Sequence, residues 1–256
     1  MSTRHRNIRK LKSNSQGRDV IRSDISQTSV LDEMNQISMI PPSINSKDTE
    51  MMNWDNRSHI SFMGMIRINS LKDGSDYFHS ILAGYHKDYM TGTTTEGNTF
   101  NRTAYVSSLR RDLAEGLKQP ESPSNPHSLT KYDKLSNGRL STMALTRPEY
   151  KLDTMMKKLA SGEPIGLEFH EYVSNQLNKD IYVLDLLNHD VLTIGMDISL
   201  LYKNRNAVVI VYSRLQNCFD TVGIINQQTG TITTFFDNSH PFIKTIRKRI
   251  SSINSR

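Results

Sequence analysis

Asp76, at an expected helix start, and Cys218, the single cysteine, are residues of this chain whose types could do chemistry. Ser75 and Asp76 follow the turn Lys72-Asp73-Gly74 and precede Phe78, Ile81, Leu82 and Tyr85, an apolar set at helical spacing. Asp76 is therefore expected in the first turn of a helix, where unpaired N–H groups and the positive end of the macrodipole gather. A cysteine at such a place is driven toward thiolate and becomes a nucleophile. An aspartate there is simply a well-placed anion, stabilising by about 0.3–1 kcal/mol. Cys218 is the only cysteine, so intramolecular disulfides and cysteine-based zinc sites are excluded. A thiol that attacks an amide needs a base within hydrogen-bond reach. His79 lies one turn beyond Asp76 and His86 two turns further, with His79 reading as helix packing. His189 falls in a turn between strands, and His240 opens the last helix beside Pro241.

The elements that must position these groups follow from periodicity. Ile60 to Ile68 alternates as a strand of mixed burial, and Ser75 is a candidate cap for the helix through Tyr85. Residues 91–101 read as a loop, Tyr105 to Leu117 as a second helix, and the prolines at 120, 123 and 126 as its break. Short helices are expected over Tyr132 to Leu140, Leu152 to Leu159 and Phe169 to Leu177. From Asp180 the pattern turns to strands: Ile181 to Leu184, Val191 to Ile194 and the wholly apolar Ala207 to Tyr212. Phe219 to Ile225 and Thr231 to Phe236 form the arms of a hairpin, and His240 to Ile250 closes the chain as an amphipathic helix. Helices first and antiparallel strands later argue for α+β.

Composition sets the outer bounds. A hydrophobic fraction of 36% is low for a globular chain of 256 residues, so part of it is expected to stay outside the core. That part is residues 1 to about 58, polar throughout and interrupted by Pro41-Pro42, which read as a disordered or extended region ahead of a domain over 59–256. No apolar run approaches a membrane span and no signal-peptide stretch opens the chain. The expectation is a soluble protein, intracellular or packaged in a particle. The net charge of +6 is concentrated: residues 1–23 hold Arg4, Arg6, Arg9, Lys10, Lys12, Arg18 and Arg22 against Asp19 alone. A second basic cluster is Lys244, Arg247, Lys248 and Arg249. Such arms neutralise phosphates without reading sequence, or dock on acidic partners, or simply stay solvated.

The string Asp73-Gly74-Ser75-Asp76-Tyr77-Phe78-His79-Ser80-Ile81-Leu82 resembles the motif of OTU-family cysteine proteases. In that motif Asp-Gly-(Asn/Ser) precedes the nucleophilic cysteine and an aromatic-rich helix. The version encoded by large DNA viruses, with Cys-Phe-Phe-His-(Ala/Ser)-Ile, is especially similar. Leu109 to Ala114, Glu171 to Tyr182, and Leu200 to Arg205 followed by Val208 to Tyr212 continue the resemblance in the family's order, over residues 60 to 250. It implies a papain-like fold with a helical N-terminal part packed on a mostly antiparallel sheet. It also implies a site: Asp76 falls on the nucleophile, Cys218 on the catalytic histidine, Asp220 on the acid that orients the imidazole, and Asp73 beside the oxyanion position.

Both reacting positions therefore depart from the family pattern. A carboxylate is a far weaker nucleophile than a thiolate, and at a reference pKa of about 4 it is a poor base for a thiol near 8.5. The reading is a degenerate enzyme that acts by binding a ubiquitin-like or viral protein, located in the host cytoplasm or the virion. Two alternatives stand beside it: a thiol hydrolase with a relocated Cys218–histidine dyad, and a basic virion protein that holds nucleic acid through residues 1–23. No cofactor is expected. Three carboxylates with a soft thiol suit neither magnesium nor calcium, so no metal is expected.

Overall fold

The computed structural model describes residues 49–54, 58–193 and 198–255. Its strands are β1 (Thr49–Met51), β2 (Met65–Ile68), β3 (Asp180–Asp185), β4 (Asp190–Val191), β5 (Ala207–Ser213), β6 (Cys218–Ile225), β7 (Ile232–Thr233) and β8 (Phe235–Phe236). They join in one sheet of order β1-β2-β6-β5-β3-β4, with β7 on β6 and β8 on β5. Only β3 and β5 run parallel; the other pairs are antiparallel. The helices are α1 (Asp76–Tyr85), α2 (Lys87–Thr91), α3 (Arg102–Leu117), α4 (Lys131–Lys134), α5 (Arg139–Met143), α6 (Leu152–Ala160), α7 (His170–Gln176), α8 (Ile198–Leu201) and α9 (Pro241–Asn254). The fold is α+β, with most helices ahead of most strands, as the sequence pattern implies.

The alternation of side chains divides the core into two layers. Ile181, Val183, Val208, Ile210 and Phe219 face the helices α1, α3, α6 and α7. Tyr182, Leu184, Val209, Val211 and Val222 face the other way, where α9 covers them with Phe242, Ile243, Ile246 and Ile250. The strongly apolar β5 is the central strand because it is buried on both faces. Helix α1 lies so close to it that a Cβ on Gly84 would come within 2.5 Å of a Val208 methyl carbon. No described helix is long and apolar enough to cross a membrane.

Several boundaries differ from the expectation. Order in the sheet begins ahead of residue 59, since Thr49–Met51 pair with Ile66 to Ile68 and Trp54 is buried in the second layer. The strand expected over Ile60 to Ile68 is confined to Met65–Ile68, because Gly64 turns the chain at a φ of 80°. The helix expected from Tyr132 to Leu140 is broken by Ser136 and Asn137 at φ of 52° and 54°. The strand expected over Val191 to Ile194 is only Asp190–Val191, with residue 194 outside the described residues. Helix α3 starts three residues early, where Asn101 caps it by accepting the Ala104 N–H at 3.0 Å.

Candidate functional site

The turn before α1 is held by its own aspartate: Asp73 Oδ1 accepts the Ser75 N–H at 3.0 Å. Ser75 precedes α1, but its side chain does not cap the helix. Its hydroxyl instead accepts a hydrogen bond from Nη1 of Arg110 at 2.7 Å. Arg110, on α3, is 1% exposed and also donates to the carbonyls of Lys158, Leu159 and Glu163. That guanidinium ties the loop after α6 to the start of α1. The same loop passes so close to Gly74 that a Cβ there would overlap the Gly162 carbonyl oxygen, and Gly74 has a φ of 90°.

These segments wall an open cleft of about 390 Å³. Arg67 of β2 and Asn69, Lys72 and Gly74 after it form one side, and Pro164, from the fastened loop, also lines it. Asp76 enters from the start of α1, and Gln216, Asn217, Cys218 and Asp220 come from the β5–β6 turn and from β6. Three of the four site residues read from the sequence are thus brought together: Asp76, Cys218 and Asp220. Asp73 is not among the lining residues.

Each group is committed in a particular way. Asp76 is 6% exposed, and its Oδ2 accepts the backbone N–H of Phe219 at 2.7 Å. The strand alternation sends Phe219 toward α1, where its ring meets Tyr77 at 5.2 Å between centroids. Cys218 and Asp220 therefore point to the opposite side of the strand from Phe219. The Cys218 thiol is 6% exposed and reaches Gln216 Oε1 at 3.6 Å.

Asp220 is 2% exposed, and among the described residues its hydrogen-bond partners are Lys72 and Ser70, not an imidazole. Its Oδ1 accepts from Lys72 Nζ at 2.5 Å, from the Ser70 N–H at 2.9 Å and from the Ser70 hydroxyl at 3.2 Å. Lys72 Nζ also donates to the Phe219 carbonyl at 3.0 Å, and the Ser70 hydroxyl bonds that carbonyl as well. The acid that would orient a base is held by a lysine instead. Lys72 was legible only as a turn residue, since its partner lies 148 positions away. Arg67 and Arg110 were missed for the same reason, and neither carries a local signal.

The described histidines are engaged elsewhere or lie outside the cleft lining. His79 is fully buried, with Nε2 3.1 Å from both oxygens of Asp73 and Nδ1 2.7 Å from the Tyr89 hydroxyl. Burial pushes the His79 pKa down, and the carboxylate of Asp73 only partly opposes this. Burial would raise the Asp73 carboxyl, but the Ser75 N–H and His79 together hold it below its usual value. His86 caps α2 through Nδ1, which accepts the Tyr89 N–H at 3.2 Å, and its Nε2 lies 2.9 Å from the Tyr105 hydroxyl. His170 is 2.9 Å from both the Tyr77 hydroxyl and the Ile181 carbonyl. His240 is the cap of α9. Among the described residues no group of three or more His, Cys, Asp or Glu is arranged to hold a metal ion.

No protein-family model matches the chain. No curated protein matches it either. Solved structures with similar shape include an ovarian tumor (OTU) domain in complex with ubiquitin. It is 13% identical, with a TM-score of 0.38 over 75% of this chain and 86% of that one. The OTUD1 OTU domain is 13% identical, with a TM-score of 0.36 over 62% of this chain and 85% of that one. The viral OTU domain protease from Farallon virus is 18% identical, with a TM-score of 0.32 over 70% of this chain and all of that one (100%). At these identities and scores they are distant likenesses.

Proposed function

We propose that this chain is a catalytically silent, OTU-like protein whose cleft binds a ubiquitin-like protein, or a viral partner, without cutting it. The observation that carries this reading is the hydrogen bond from the Phe219 N–H to Asp76 at 2.7 Å, beside Cys218 in a cleft with no lining histidine. By the resemblance of the motif, position 76 belongs to the nucleophile and position 218 to its base. A carboxylate held by a main-chain amide supplies no nucleophile strong enough for an amide bond, and no described histidine lines the cleft to activate the Cys218 thiol. Asp220, which would orient an imidazole at 218, is neutralised by Lys72 at 2.5 Å. The cleft meanwhile keeps its walls and presents the side-chain amides of Asn69, Gln216 and Asn217, groups suited to a polypeptide main chain.

The test is turnover of ubiquitin carrying a C-terminal fluorophore. The expected result is release at the background rate, in the intact protein and in Cys218→Ser alike. Release by the intact protein that Cys218→Ser abolishes would replace this reading with the relocated-dyad hydrolase.

The nucleic-acid alternative rests on residues 1–23, which lie outside the described residues. The C-terminal basic cluster gives it little support. Arg247 is drawn to the Tyr182 hydroxyl at 2.7 Å and Arg249 to Asp190 at 2.6 Å, which leaves Lys244 and Lys248 as its exposed cations.

A further inference from the structure

The cleft contains a mismatch that the binding reading does not use. Arg67 on β2 stands in register with Glu50 of the edge strand β1, and its Nη2 donates to Glu50 Oε2 at 2.6 Å. The Nε–H of Arg67 is buried and meets no acceptor. The Asp220 carboxylate lies just beyond hydrogen-bond range, with Oδ2 at 3.9 Å. The Lys72 and Ser70 hydrogen bonds to that carboxylate all fall on Oδ1. A buried donor of Arg67 is thus left unjoined 3.9 Å from a carboxylate oxygen, which costs free energy on the donor side.

The side chain of Glu50 is 63% exposed, so the pair it makes with Arg67 is a weak surface bridge. Strand β1 is three residues long, sits at the sheet edge and, among the described residues, pairs with β2 alone. Short edge elements with few buried contacts are the ones that open first.

We propose that Arg67 is a two-position latch coupling β1 to the cleft. With β1 docked, Glu50 holds the guanidinium away from Asp220 and the cleft stays open. With β1 released or Glu50 neutralised, Arg67 closes on Asp220 Oδ2, satisfies its own buried Nε–H and narrows the cleft beside Cys218. The latch regulates the cleft on which the proposed function rests, but testing it requires no binding partner.

Cys218 is the only cysteine of the chain, so its alkylation by N-ethylmaleimide in the native protein reports access to the cleft alone. Glu50→Gln is expected to slow alkylation about threefold or more, the scale of a modest ion-pair change. In an Arg67→Met background the same substitution is expected to have no effect. Arg67→Lys, which keeps the charge but lacks the Nε–H, serves as the background if the methionine variant does not fold. An unchanged rate in Glu50→Gln, or equal slowing with and without Arg67, would overturn the latch. Either result leaves the ubiquitin assay untouched, so the two readings fail separately.

Discussion

Replacing Arg110 by methionine is expected to lower the stability of the fold by about 3 kcal/mol or more and to loosen the cleft wall. The guanidinium is 1% exposed, and its hydrogen-bond partners are carbonyls and a hydroxyl, not a carboxylate. Burial depresses its pKa, and the nearby charges of Asp73 and Asp76 offset part of that cost. Two effects of removal oppose each other. Losing a buried cation relieves a desolvation penalty, but it strands the carbonyls of Leu159 and Glu163 and the Ser75 hydroxyl, at about 1–3 kcal/mol for each that water does not reach, while the Lys158 carbonyl keeps its bond from the Ser161 hydroxyl. With that many acceptors the loss wins. The face of the guanidinium also covers the Phe78 ring at 5.4 Å, a contact that methionine replaces only in part. Urea denaturation measures the change, and hydrogen exchange over residues 158–164 localises it. A loss under about 1 kcal/mol, with unchanged exchange in that loop, would show that Arg110 is not the fastening.

Mild acid is expected to destabilise the protein well above the range where carboxylates titrate. Burial holds both His86 and His170 at a pKa of about 4, against an ordinary value of 6.5. The hydrogen bonds explain why neither can accept a proton cheaply. His170 Nε2 faces the Ile181 carbonyl and so carries the hydrogen, leaving Nδ1 to accept from the Tyr77 hydroxyl. His86 Nδ1 accepts the Tyr89 N–H, so a proton there would set two donors against each other. Between pH 6.5 and 4 the unfolded chain binds more protons than the folded one, and stability therefore falls as the pH falls through that window. Each site contributes at most about 3 kcal/mol. Asp73, Asp185 and Asp190 have lowered pKa values, so their contribution is lost only below about pH 4 and does not confuse the reading. Unfolding free energies at pH 7.5 and 5.0 should differ by several kcal/mol, and His170→Gln should shrink the difference. A flat profile between those values would contradict the assignment of buried neutral imidazoles.

Much of the fold was legible because its signals are local. The Asp-Gly turn and the apolar spacing of Phe78, Ile81, Leu82 and Tyr85 announce α1, and the unbroken apolar run of β5 announces a central strand. What periodicity could not reveal is that every residue of α1 is buried, polar ones included, because the sheet, the α3 side and the fastened loop surround it. The site divides in the same way. Asp76, Cys218 and Asp220 were recognisable from motif order, and they do share one cleft. The cations that settle its electrostatics were not, because Lys72, Arg67 and Arg110 act across 148, 153 and 35 positions of chain. Ser75 looked like a helix cap for a sound local reason and lost that role to a distant arginine.

The central claim is that this cleft recognises and does not cut, and one measurement meets it directly. Isotope-labelled protein is titrated with ubiquitin carrying a C-terminal extension, and amide spectra are followed through several hours. The account predicts shifts that cluster at Asn69, Gln216 and Asn217 while the extension stays attached. Cleavage of the extension, or shifts confined to surfaces away from Asp76 and Cys218, would contradict it.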